Sequence, residues 1–590
     1  VEMKFNADFS DIFEVRGTVR ERRGTKQPTE SKVRQIVFSY MGLDKVQRGT
    51  SIRFTPLPAS LQHNVAMYEI SLAPQEETEL EVSAAFTEGG EPQGVLDYEQ
   101  ARNAMNLHMD RTRQYCADIL TSNEQFNDWA KRSRSDLITM TTQTPHGLYP
   151  YAGVPWYSTP FGRDGIITAL ECLWVEPELA KGVIQYLAHT QATDFNDFQD
   201  AEPGKIFHET RGGEMAAIGE IPFKLYYGTI DATPLFIILA GAYLERTNDL
   251  VTIKKVWSNI ERALYWIDHY GDIDGDGFVE YKTKSSKGLT NQGWKDSFDS
   301  IFHEDGKLAG EPIALCEVQA YVYEAQIRAS EIAMALGHDQ IATHLRARAK
   351  DLKDKFNEEF WSESKQIYAL ALDGKKRPCN VISSNAGHCL FSGIATPERA
   401  RLTAMNLLDE KMFSGWGIRT IAVGESRYNP MSYHNGSIWP HDNAVIAFGF
   451  SRYDLMLEAV QVLKGTFDTA LNTESQRLPE LFCGFERVKG QAPTSYPVAC
   501  SPQAWSVGAI FLMLQACLGM KIEAGKKTIT FRHPALPPFL KELTITNLRL
   551  NNQSLVLQIR RGNDGIDVIL LTPQADVEIV VYNKQVLETA

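Results

Sequence analysis

Apolar positions along this 590-residue chain change their period twice. Over residues 1–95 they alternate with polar ones. Arg34-Gln-Ile-Val-Phe-Ser-Tyr, Ser51-Ile-Arg-Phe-Thr-Pro and Met67-Tyr-Glu-Ile-Ser-Leu are rich in β-branched and aromatic residues, and Glu79-Leu-Glu-Val-Ser-Ala-Ala-Phe continues the pattern. Successive strand side chains point to opposite faces, so this alternation predicts strands with one buried face. A β-sandwich over residues 1–95 fits, incomplete if the chain starts inside it. Val1 rather than Met opens the sequence, which leaves room for a leader or an upstream domain.

Near Leu96 the period lengthens. Residues 96–122 read as a polar connector helix. Beyond them apolar residues fall three and four apart, as in Phe126/Trp129/Ala130, Ile166/Ala169/Leu170/Leu173, Leu235/Ile238/Leu239/Ala242 and Val318/Tyr321/Val322/Ala325. That spacing places them on one side of a helix. Roughly ten to twelve helices of ~12–18 residues are expected before residue 524. Short and long connections alternate between them, which suits a closed double ring of helices, the (α/α)6 toroid, over residues 123–524. A helical solenoid is the alternative, but no fixed repeat is visible. After Ala524 the chain returns to strands, and a small β-domain is expected over 525–590. The fold class is therefore mainly α, with β-domains at both ends.

Composition narrows the function classes. A formal charge of −14 without a long basic block argues against nucleic acid or an anionic membrane as partner. The short basic run at residues 20–26 reads as a solvated turn. No stretch reaches the 18 apolar residues of a membrane helix. The eight cysteines have no Cys-x-x-Cys spacing, and several sit in apolar runs, so buried free thiols in a reducing, cytoplasmic setting are expected. Oligomeric state is not legible.

Several loops carry residues that packing alone does not explain. Gly153-Val-Pro-Trp156-Tyr157 leads through Gly162-Arg163-Asp164-Gly165 into a helix. Asp164 suits an N-cap there, yet an adjacent Arg-Asp pair also suits multidentate bonding of sugar hydroxyls. Phe207-His208-Glu209 begins like a metalloprotease motif, but Gly212 stands where the second histidine belongs. Tyr226-Tyr227 and Asp231 follow, as a pocket wall or a helix cap. Asp272-Ile-Asp274-Gly-Asp276-Gly277 mimics a calcium loop, whose twelfth position, normally acidic, is Thr283. It reads as a tight turn, and no metal or other cofactor is predicted. The densest stretch holds Trp416, Tyr433-His434-Asn435-Gly-Ser-Ile-Trp439-Pro-His441 and Cys500-Ser-Pro-Gln503-Ala-Trp505. Trp156, Trp294, Trp416, Trp439 and Trp505 all lie in these loops or their edges, as platforms for apolar faces of sugar rings.

Two carboxylates stand in comparable aromatic, glycine-containing surroundings: Asp296 in Asn291-Gln-Gly-Trp-Lys-Asp296-Ser-Phe, and Glu480 in Arg477-Leu-Pro-Glu480-Leu-Phe. Cleaving a glycosidic bond needs one carboxyl to protonate the leaving oxygen and another to activate water. An aromatic neighbourhood raises a carboxyl pKa by desolvation, which a general acid needs.

Gly162-Arg163-Asp164, Trp294-Lys-Asp296, Tyr433-His434-Asn-Gly-Ser-Ile-Trp439-Pro, Leu478-Pro-Glu480-Leu and Ser501-Pro-Gln503-Ala-Trp505-Ser together resemble the amylo-α-1,6-glucosidase part of glycogen-debranching enzymes. The opening Asp8-Phe-Ser-Asp-Ile-Phe-Glu-Val-Arg-Gly resembles the N-terminal β-domain of bacterial proteins of that kind. Glucoamylases and processing α-glucosidases are related (α/α)6 inverting enzymes. The resemblance implies Asp296 as general acid, Glu480 as general base, and Arg163 with Asp164 holding the terminal sugar. Such debranchers often carry a transferase domain, absent here, so a hydrolase of small α-glucosides or short oligosaccharides is equally consistent. Two rivals are a disaccharide phosphorylase of the same architecture, which Glu480 disfavours, and a non-catalytic carbohydrate-binding protein, which retention of both carboxylates disfavours.

Overall fold

The computed structural model describes residues 1–90, 96–562 and 565–583. Parts of the expected 1–95 and 525–590 β-regions thus lie outside the described residues. The chain divides into two compact units: Val1–Thr112 with Arg211–Lys224, and Arg113–Thr210 with Leu225–Ala590.

The first unit is β-rich. Gln35–Met41 pairs antiparallel with Gln47–Thr55, which pairs with Glu81–Glu88. A second antiparallel sheet holds Glu2–Lys4, Val65–Met67 and Ser60–Gln62. Ile36 and Phe38 face inward at alternate positions, and join Ile52, Phe54, Ala66 and Tyr68 in one core drawn from both sheets. The segment Arg211–Lys224 is held by a buried carboxylate. Glu214 accepts hydrogen bonds from the Tyr40 hydroxyl at 2.8 Å, the Leu43 amide at 2.7 Å and Arg20 Nη1 at 3.3 Å. A buried carboxylate with three donors is satisfied as an anion, and its pKa is lowered despite desolvation.

The second unit has twelve helices of eight or more residues among its described residues. They are α1 Glu124–Met140, α2 Gly162–Glu171, α3 Pro177–Thr190, α4 Ala232–Thr247, α5 Leu250–Trp266 and α6 Cys316–Ala335. The rest are α7 Asp339–Glu359, α8 Asn385–Ser392, α9 Pro397–Leu408, α10 Pro440–Arg452, α11 Met456–Ala470 and α12 Ala504–Leu518. The even-numbered helices pack in a circuit, α2 on α4, α4 on α6, then α8, α10 and α12, which returns to α2. The odd-numbered helices pack outside them, α7 on α6 and α11 on both α10 and α12, for example.

Burial follows that division. Every residue of α12 except Gln515 is buried, whereas α7 buries one stripe, Ala342, Leu345, Ala349, Leu352, Phe356 and Asn357. A helix apolar all round needs neighbours on every side, and an amphipathic one needs a single supporting face. Close approach is permitted by glycine where it matters: a Cβ on Gly449 of α10 would stand 2.7 Å from the Phe391 amide of α8. Each inner helix follows a long connection (141–161, 191–231, 267–315, 360–384, 409–439 and 471–503) and precedes a short one. The long loops therefore all run into inner-helix N-termini.

Residues 118–121 are not part of a connector helix, which ends at Arg113. Asp118–Thr121 is a strand that pairs antiparallel with Glu542–Leu550, whose sheet continues through Gln553–Arg561 and Ile566–Leu570. A smaller sheet joins Met520–Glu523, Thr528–Arg532 and Glu578–Tyr582, the last two parallel. Leu543, Ile545, Leu557 and Ile559 of these strands share the core of the helices. All eight cysteines are buried free thiols. No helix among the described residues is long and apolar enough to cross a membrane.

Candidate active site

The N-terminal ends of the inner helices converge in a cluster of charged side chains. Arg163, in the first turn of α2, donates from Nη1 to Asp231 Oδ2 at 2.9 Å and to the Gly293 carbonyl at 3.1 Å. Its Nη2 donates to Asp296 Oδ2 at 3.3 Å. Asp231 stands at the N-cap of α4, yet its side chain makes no capping bond. It accepts instead from Arg163 and from Thr229 Oγ1, at 2.5 Å. Asp164 is not the cap of α2 either. Phe161 holds that position, and Asp164 accepts from Gln503 Nε2 at the start of α12, at 3.1 Å. Both aspartates thus serve the cluster rather than their helix ends.

Asp296 sits on a loop tied internally by Asn291 Nδ2 donating to the Ser297 carbonyl at 2.6 Å and Ser300 Oγ to the Lys295 carbonyl at 2.5 Å. About a quarter (26%) of its side chain is exposed. Desolvation raises its pKa to about 6; Arg163 opposes the shift, and the Asp231 and Glu209 carboxylates add to it. Glu480 is 2% exposed and accepts from the Tyr433 hydroxyl at 2.5 Å and the Cys500 amide at 3.0 Å. Asp164 connects the two carboxylates electrostatically. Burial pushes its pKa to about 7; Arg163 lowers it, and the charges of Glu480 and Asp296 both raise it. Asp164 therefore lies within reach of the fields of both other carboxylates.

The aromatic residues are placed differently from the expectation of open platforms. Trp294 stacks on His388 and meets His434, Trp439 and His441 edge-on, with centroids 5.1–5.8 Å away. His441 stacks on Trp505 at 3.7 Å, and His434 on Trp439 at 5.1 Å. All five predicted residues of this cluster are buried, so they pack chiefly on one another behind the charged groups. Burial holds both His434 and His441 well below the usual histidine pKa, hence neutral. The half-buried aromatics are Tyr157, whose hydroxyl is 3.5 Å from that of Tyr433, and Trp156, which donates to the Val498 carbonyl at 3.0 Å. His208 is buried edge-on to Phe161, and Glu209 is buried with its charge felt at Asp296. Tyr227 is buried and donates to the Thr190 carbonyl at 2.7 Å. Trp416 is brought into a separate cluster with Ile438 and Phe482, under the Arg487 guanidinium at 4.3 Å.

Sequence reasoning overlooked several contributors. Tyr433 holds Glu480, a role that its place in the Tyr433–His441 run does not announce. His434 Nδ1 lies 2.7 Å from Ser297 Oγ, one residue beyond Asp296. Lys295 donates to the Thr420 carbonyl at 2.7 Å, and burial lowers its pKa to about 8 against the carboxylates of Asp442 and Glu317. His388 Nε2 lies 2.7 Å from Asp442 Oδ1, with its Nδ1 2.5 Å from the Tyr321 hydroxyl. The adjacency Lys295-Asp296 and Tyr433-His434 was the available signal.

Asp272, Asp274 and Asp276 are the one group of metal-ligand type found among the described residues. The Lys376 ammonium lies 3.0 Å from Asp274 and 2.8 Å from Asp276, and also pairs with Glu280. Asp272 meanwhile accepts from the Gly275 and Gly277 amides, both at 2.8 Å. A lysine thus supplies positive charge to this loop.

Residues 161–486 match the family profile of the mannosylglycerate hydrolase MGH1-like glycoside hydrolase domain. Residues 1–83 match that of the N-terminal domain of some glycogen debranching enzymes. No curated protein matches the chain. A GH78 family rhamnosidase of Bacillus sp. GL1 aligns with a TM-score of 0.58 at 13% identity, covering 95% of this chain and 54% of its own. An α-L-rhamnosidase from Dictyoglumus thermophilum gives 0.54 at 13% identity, covering 96% and 59%. A sialidase gives 0.57 at 11% identity, covering 91% and 52%. The chain spans little more than half the length of these structures, and at such identities the likeness is one of fold.

Proposed function

The chain belongs to the mannosylglycerate hydrolase MGH1-like glycoside hydrolase family, and on that premise we propose that it is an inverting, exo-acting α-glycosidase cleaving α-glucosidic bonds of oligosaccharides or small glucosides. It is a glycoside hydrolase. The likeness to debranching-enzyme glycosidases read from its motifs agrees with both family matches. The finer reading rests on one observation. Asp296, raised to about 6, and Glu480, held by two donors, both act on the charge of Asp164.

In this reading Asp296 carries the proton to the glycosidic oxygen. Glu480, oriented by Tyr433 and the Cys500 amide, takes a proton from the attacking water. Arg163, fixed by Asp231 and Gly293, presents its remaining donors to the terminal sugar. Asp164, largely neutral near pH 6, both donates to and accepts from sugar hydroxyls. The ring of six inner and six outer helices is taken as an (α/α)6 toroid over 123–524, between a β-sandwich over 1–95 with a connector over 96–122 and a β-domain over 525–590. The free thiols fit a cytoplasmic enzyme.

The test is a panel of α-1,4, α-1,6, α-1,2 and α-1,1 glucosides together with mannosylglycerate, the substrate that the family's description names. The anomer of the first product is read by NMR. Release of β-glucose from an α-glucoside is expected. Retention of configuration would overturn the assignment of roles, and turnover of mannosylglycerate alone would overturn the glucosidic specificity.

A further inference from the structure

The opposite ends of the inner helices enclose a cavity of about 500 Å³ that the proposed reaction does not use. Its floor is apolar and buried, formed by Leu170, Trp174, Ile238, Phe391 and Leu512. Its mouth is charged and partly open: Lys521 and Arg532 have half-exposed side chains. The size falls within the ~300–1,000 Å³ of ordinary small-molecule sites.

The charges lining it do not balance. Five cationic side chains, Arg246, Arg328, Arg452, Lys521 and Arg532, face three acidic ones, Glu245, Glu324 and Glu523. Each acid is already engaged. Glu245 pairs with Arg328 at 2.9 Å and Lys521 at 2.5 Å, Glu324 with Arg452 at 2.5 Å and Arg328 at 3.5 Å, and Glu523 with Lys526 at 2.9 Å. Arg532 has Asp454. Arg246 has no carboxylate partner among the described residues.

Arg246 is 5% exposed. Its Nη2 donates to the Trp174 carbonyl at 3.1 Å and the Arg549 carbonyl at 2.8 Å, while its buried Nε has no acceptor. Helix C-termini carry partial negative charge, which accounts for cations gathering at this end. Carbonyl dipoles satisfy donors but bring no formal countercharge. An arginine cannot escape by losing its proton at neutral pH, and a buried charge without a partner is costly. Burial alone brings the Arg246 pKa down to about 10. A cavity of ligand size with an apolar floor and one unpaired buried guanidinium has the form of a site for an anion.

We propose that this cavity is a second ligand site, which takes a small organic anion whose carboxylate or phosphate pairs with Arg246 and whose apolar body lies on the Leu170–Trp174–Ile238 floor.

Isothermal titration of the full chain with octanoate, octyl phosphate and neutral octanol tests this. The two anions distinguish a carboxylate from a phosphate preference, and octanol reports the floor alone. At least one anion is expected to bind, at least about tenfold more tightly than octanol, since a charge-assisted pair is worth roughly a factor of ten or more. Arg246→Leu should weaken the anion about tenfold or more, with octanol little affected. Ala242→Trp, which fills the cavity from α4 while residue 246 stays an arginine, should weaken all ligands, and it decides the matter if the Arg246 variant does not fold. Asp296→Asn should leave anion binding unchanged. Absence of binding by both anions, equal affinity for octanol, unaltered binding in Ala242→Trp, or loss of binding in Asp296→Asn would each overturn the proposal. None of these outcomes bears on the glycosidase reading.

Discussion

Replacing Arg163 by methionine should slow the enzyme and, at the same time, extend its activity to higher pH. Asp296 must be protonated to act as acid, so activity should fall as pH rises through its pKa, about 6 in the native protein. Arg163 favours the ionised form and holds that value down; removing the cation must raise it. The guanidinium nitrogen lies 3.3 Å from the carboxylate oxygen. With charge centres ~4 Å apart and an effective dielectric of about 20, the interaction is about 4 kcal/mol as an upper bound. At ~1.4 kcal/mol per pKa unit this is at most about 3 units, and shifts of ~1–3 units are typical of such pairs.

The descending limb of kcat/KM against pH should therefore move up by ~1–3 units, even as its plateau falls through loss of sugar binding. Asp231→Asn provides the opposite sign. Its carboxylate raises Asp296, so its removal should move the limb down. Stability should fall in the Arg163 variant, by about 3–5 kcal/mol, because Asp231 is left buried without its partner. Melting temperatures are needed to choose a temperature at which both variants are folded. Asp164→Asn controls for the second raised carboxyl, near 7. A limb that stays in place in Arg163→Met, moves the same way in both variants, or vanishes only in Asp164→Asn would refute the assignment of Asp296 as acid.

Glu480→Gln should lower kcat by ~10²–10⁴-fold with a near-native circular dichroism spectrum, and unchanged turnover would move the base elsewhere. Opposed across one pocket, Asp296 and Glu480 should stand ~6.5–9.5 Å apart, as inversion requires; a crystal structure with ~5–5.5 Å would indicate a retaining enzyme. Tyr433→Phe removes a donor to Glu480 and should cost ~10-fold or more in kcat with KM little altered, since hydrogen bonds to charged groups are worth ~1.5–3 kcal/mol. An effect confined to KM would place the tyrosine on substrate instead. Exhaustive dialysis against a chelator should leave turnover and melting temperature unchanged, because Lys376 already serves Asp274 and Asp276; activity restored specifically by calcium would contradict this.

What the sequence determined by itself is what local patterns encode. Period-2 and period-3.6 spacing mark strands and helices because the buried face repeats within a few residues, as Ile36/Phe38 and Ala342/Leu345/Ala349 illustrate. Asp296 and Glu480 stood out because glycine and aromatic neighbours set their loops apart from ordinary polar ones. The tertiary structure decided everything that depends on partners distant in sequence. Asp118–Thr121 became a strand only because Glu542–Leu550 offers its edge, and Glu214 joined the N-terminal unit through Arg20 and Tyr40. Asp164 and Asp231 occupy positions where a helix cap is the local expectation, but Gln503 and Arg163 supply stronger partners, charged in the second case. The same holds for the tryptophans. A buried cluster and an open platform share one local sequence, and only the approach of Trp294, on its long loop, to Trp439 and, through it, Trp505 at two helix ends determines which surface water reaches.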